Sequence, residues 1–146
     1  MESKNEFLSI SKIKAVLEFQ SAYTSITTEL SFLNKDLFEN REVNRQMEEA
    51  ILPILKKYFV KHDQLSLFIN EEDINWFAST KVENLKLHSD ITKFQINRFN
   101  SEHRIWSELL RINKLKEKVI DEGSKKMYVF LKSTFKKELE SDSSTL

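Results

Sequence analysis

The chain has no cysteine. A disulfide framework, thiolate catalysis and every cysteine-ligated zinc or iron–sulfur site are thereby excluded. It has one glycine and one proline in 146 residues, whereas all-β and α/β domains use both freely at their many turns. The same count excludes glycine-rich phosphate loops, because backbone approaches phosphate closely only where side chains are missing. Long apolar runs are lacking as well: nothing approaches the ~18 residues that would cross a bilayer. The opening residues MESKNEFLSISKIK interleave charge with single apolar residues and form no secretion signal. Nor is there an excess of one charge, with 23 basic against 23 acidic side chains, so no global field draws the protein to nucleic acid or anionic lipid. A cytoplasmic protein without membrane association is expected.

What remains is helical periodicity. Val16, Phe19, Tyr23, Ile26, Leu30, Leu33 and Leu37 alternate spacings of three and four, the seam a helix presents to a long partner, and predict a first helix from about Ser9 to Phe38. Asn40 is placed as cap of a second helix running to about Lys61, with Val43, Met47, Ile51, Ile54 and Tyr58 as its stripe and a kink at Pro53. His62 to Asn70 reads as the longest connection. Asn70 followed by Glu71, Glu72 and Asp73, with Ile69 and Ile74 as a staple, predicts the start of a third helix. Its inward residues read as Ile74, Phe77, Ala78, Val82 and Leu85, with a phase shift to Leu87, Ile91 and Phe94. A fourth pattern, Ile105, Leu109, Ile112, Leu115 and Val119, is expected to stop at Gly123. A last helix over about 124–140 uses Met127, Leu131, Thr134, Phe135 and Leu139. The fold class is therefore all-α, an up-and-down bundle of four to five helices in one domain over 1–146. Helices 3 and 4 are compatible with one long bent helix over about 71–121, and the tails, about 1–8 and 141–146, are expected to fray.

The stretch RFNSEH, Arg98 to His103, resembles the Arg-x4-His signature of HEPN-type ribonucleases. That resemblance implies a small helical bundle, often dimeric, that cleaves RNA without metal, His103 serving as general acid or base and Arg98 stabilising the pentavalent phosphate. Geometry sets a condition, since residues five apart on a straight helix lie about 140° around its axis from one another. The pair converges only with a break near Asn97 to Ser101 or with a second subunit. On an unbroken helix Arg98 interrupts a seam and His103 faces water.

No histidine lies three or four residues from another and no Glu-x-x-His pair occurs, so neither metal nor cofactor is expected. His88 reads as a half-buried polar residue and His62 as a cation at a helix C-terminus. Between 104 and 137 there are ten basic and four acidic side chains, and between 18 and 49 seven acidic and three basic. Arg111, Lys114, Lys118, Lys125 and Lys126 mark a basic strip that would meet phosphate backbones or an acidic partner, or simply face water.

Large apolar residues off the main stripes are the better guide. Leu17, Phe32, Trp76 and Trp106 are assigned to an interface, because tryptophan and other bulky side chains on a second helix face need a partner or a central place in the bundle. The expected function is non-enzymatic protein–protein interaction, as in a small adaptor, inhibitor, immunity or assembly protein, with another protein or a second copy as partner and no catalytic residue assigned. Metal-independent RNA cleavage through Arg98 and His103, and nucleic-acid binding by the basic strip, are the alternatives.

Overall fold

A computed structural model of the chain describes residues 2–40, 43–97 and 102–144, with side chains over 11–40, 43–97 and 105–140. It is an all-α bundle, and no strand occurs among the described residues. The elements are α1 (Glu2–Asn40), α2 (Arg45–Ser66), α3 (Glu71–Asn97), α4 (Glu102–Lys116), a π-helical turn (Glu117–Glu122), α5 (Gly123–Thr134) and α6 (Lys136–Ser144).

All seven residues of the α1 seam are buried. That uninterrupted stripe makes α1 the helix against which α2, α3, α4 and α6 all pack. Pairs across the bundle give its topology. Glu18 meets Lys61 at 2.7 Å, Asp63 meets Lys81 at 2.8 Å, Asp90 meets Arg111 at 3.0 Å and Lys12 meets Glu138 at 3.4 Å. Each successive rod thus runs antiparallel to the one before, and α4, the π turn, α5 and α6 together form the fourth.

The Asp90–Arg111 pair overturns the reading of 71–121 as one rod. Twenty-one residues of straight helix would hold the two about 31 Å apart, so α3 and α4 are separate, antiparallel helices. The long rod lies instead at the C-terminal end. Gly123 does not end a helix: its φ of −61° and ψ of −40° are right-handed helical, and Val119, Ile120 and Met127, buried on both sides of it, hold the chain in helix. The bend falls at Phe135, where φ is −114° and ψ is 33°.

Other boundaries also move. Asn40 is the last residue of α1, and the cap of α2 is Asn44, whose side chain accepts from the Gln46 N–H at 2.8 Å. The helix passes through Pro53 and continues to Ser66, so His62 lies within it, and the connection shrinks to residues 67–70. Asn70 caps α3 as expected, its side chain accepting from the Asp73 N–H at 3.1 Å. No described helix is long and apolar enough to cross a membrane.

Candidate functional site

The chemistry of α3 begins with two polar residues in its inward face. Phe77, Asn84, Leu87, Ile91 and Phe94 are buried, and Thr80, half-buried, completes the spacing. The phase of the helix never shifts. Ala78, Val82 and Leu85, read from the sequence as inward, centre about 150–160° around the axis from that seam and are exposed, Val82 at 62% and Leu85 at 43%. Ile96 continues the same line at 70% exposure. The spacing 78, 82, 85, 89, 96 keeps to one helical face, with Ser89 half-buried in the middle. Thus α3 carries two parallel stripes, one spent on the core and one open.

Charge is segregated along the open stripe. Glu71, Glu72 and Asp73 lie at its N-terminal end, where they also favour the helix dipole. Lys86 and Lys93 are exposed further along. Lys81 is held to Asp63, its ammonium 5.8 Å from the centre of the Phe59 ring. Beyond the N-terminal end of α3, in the turn from α2, Leu67 is 82% exposed.

Behind the helix lies a polar cluster in the core. The His62 Nε2 is 2.8 Å from the Phe77 carbonyl oxygen, an acceptor only, so Nε2 carries the proton and donates. The Nδ1 is then an acceptor, buried with no hydrogen-bond partner among the described residues. Burial lowers the His62 pKa to about 4 from an ordinary 6.5, against the opposing pull of the Phe77 carbonyl. The Asn84 amide donates to the Thr80 carbonyl at 2.9 Å, and the Thr80 hydroxyl donates to the Phe77 carbonyl at 2.6 Å. Burial likewise raises the pKa of both Tyr58 and Tyr23. His62 is therefore no helix C-terminal cation. It is a neutral core residue, packed among Phe19, Tyr58 and Phe77.

The structure does not gather the four residues assigned to an interface. Leu17 is half-buried and lines an open groove of about 730 Å³ between α1 and α5, shared with Tyr23 and Ser124. Phe32 is exposed beside Met47 of α2. Trp76 is half-buried against Phe130, ring centres 4.9 Å apart. Trp106, half exposed, rests on Phe38 at 5.5 Å. They occupy four separate places, and none belongs to the open stripe of α3. Its residues were missed because their spacing blends with the core stripe; the signal was the second run, 78, 82, 85, 89, 96, beside the first.

The basic strip is partly spent inside the protein. Arg111 donates to Glu108 at 2.9 Å and to Asp90 at 3.0 Å, and these carboxylates raise its pKa. Lys114 and Lys118 are exposed on the fourth rod. Lys125 and Lys126 border a depression with Trp76, Asp73, Val129 and Phe130. Arg98 lies outside the described residues, as does the side chain of His103. Set against family models, curated proteins and solved structures, the chain matches none of them.

Proposed function

We propose that the protein is a non-enzymatic protein–protein interaction module whose docking face is the open stripe of α3. One observation carries this reading. Ala78, Val82, Leu85 and Ile96 form a helical apolar face that no other described element of the chain covers. Single exposed apolar residues are ordinary, but an aligned row over five turns is the pattern by which one helix receives another. Its mechanism is burial of these side chains, with the charges along α3 selecting orientation.

The test is a photo-crosslinking residue placed at Val82 or Ile96 in producing cells, with Lys57 on α2 as the exposed control. Protein adducts at the two stripe positions and not at the control are expected. Their absence at both positions would refute the reading.

RNA cleavage by Arg98 and His103 is a second reading, supported by the separation of α3 from α4, since α3 ends at Asn97, before Arg98, and His103 lies in α4. Cleavage of RNA by the purified protein, lost in His103→Ala with the fold intact, would establish it. An inactive clean preparation would retire it.

A further inference from the structure

We infer that the occupant of the α3 face is a second copy of this chain, paired antiparallel across a twofold axis near Val82. This rests on the docking face proposed above and adds its partner. A twofold interface must be self-complementary: along a straight helix paired with its own copy, each residue meets one whose number, added to its own, gives a sum constant to within about one residue. The exposed residues of α3 come within one residue of that condition about position 82. Val82 then faces Val82 of the other copy, Leu85 falls within one residue of Ala78, and Ile96 reaches the end of the other copy's α3 that the turn bearing Leu67 precedes. Ile96 and Leu67 are the most exposed large apolar side chains among the described residues, at 70% and 82%.

The charges point to the same register. Lys93, on the edge of the stripe near its C-terminal end, falls opposite Glu71 and Glu72 of the other copy. These residues are exposed, and no ion pair of theirs occurs among the described residues. A parallel pairing would set acidic ends together and lysines together, which costs energy. Small residues near the axis, Ala78, Val82 and Ser89, let the two helices approach closely. The area offered is a single helix face, so the dimer should be weak, on the order of micromolar.

The absence of native cysteine makes the geometry directly testable. Only a residue near the twofold axis can reach its own copy, since a disulfide needs Cα atoms within about 7 Å. Val82→Cys should oxidise to a covalent dimer, whereas Ile96→Cys should not do so alone, and Lys93→Cys should cross-link to Glu71→Cys when the two proteins are mixed. Glu71→Lys combined with Glu72→Lys should weaken dimerisation, read by sedimentation, at least tenfold, and Lys93→Glu added to it should restore the dimer. Self-linking of Ile96→Cys without that of Val82→Cys would overturn the antiparallel register. A monomeric mass well above micromolar concentration would overturn self-pairing altogether. If the photo-crosslinker at Val82 then still labels another protein, the docking face stands and only its occupant is wrong; if it labels nothing, both fall.

Discussion

The imidazole of His62 lies stacked on the ring of Phe77, centres 4.0 Å apart and planes 11° from parallel, while its Nε2 donates to the carbonyl of that same residue at 2.8 Å. One contact on α3 thus serves both the apolar face and the polar edge of a buried histidine on α2. The arrangement suits the neutral ring alone, because a second proton on Nδ1 would create a buried donor and charge with nothing to receive them.

Stability should therefore depend on pH through His62. Its folded-state pKa of about 4 lies below the ordinary 6.5, so the unfolded chain binds the proton more readily. The contribution is complete above about pH 6.5, falls as pH drops toward 4 and is flat below, amounting to about 3 kcal/mol. Urea denaturation at intervals from pH 7.5 to pH 4 should show that loss in the wild type and a much shallower slope in His62→Leu. His88, whose pKa burial also lowers, is present in both proteins, so the difference in slope isolates His62. Equal slopes would contradict a neutral buried ring.

The helices differ in how plainly their sequence announces them, and the reason is physical. In α1 every seam position holds an apolar residue, so periodicity and burial coincide from Val16 to Leu37. In α3 the core positions include Thr80 and Asn84 while the nearly opposite face holds Ala78, Val82 and Leu85, and a reading that equates apolar with inward is drawn to the wrong stripe until Leu87. His62 was hidden by Asp63 and Gln64, which suggest a loop but are the exposed side of a continuing helix. The interface residues chosen for size, Trp76 and Trp106, were each half met by an aromatic neighbour from elsewhere in the chain, Phe130 and Phe38. Such long-range contacts leave no local mark.

Gly123 misled in the same way, since glycine after an apolar run is a stop signal only where the backbone turns left-handed. Here it is helical, and a Cβ would meet the Lys118 carbonyl oxygen at 3.4 Å and the Tyr23 hydroxyl at 3.9 Å, ordinary packing distances. Gly123→Ala should stabilise the protein by about 0.5–1 kcal/mol through the lower backbone entropy of the unfolded chain, read as a higher urea midpoint at unchanged slope. A lower midpoint would mean that the π-helical turn tightens around this residue and has no room for a methyl group.

Asn84 occupies a core position between Phe77 and Leu87, and its Oδ1 is buried with no hydrogen-bond partner among the described residues. Its amide donates to the Thr80 carbonyl and lies 3.5 Å from the Tyr58 hydroxyl, the limit of a useful bond. An unpaired buried acceptor costs about 1–3 kcal/mol, more than one long hydrogen bond returns. Asn84→Leu, close in volume and apolar, should therefore raise stability by about 1–2 kcal/mol and make the inward stripe of α3 continuous. Thermal and urea unfolding at pH 7.5 measure the gain, and His62→Leu combined with it tests whether the two polar residues are coupled. A loss of stability in Asn84→Leu would show that Tyr58, Thr80 and Asn84 act as one satisfied network, in which case Tyr58→Phe should destabilise the wild type but not the Asn84→Leu protein.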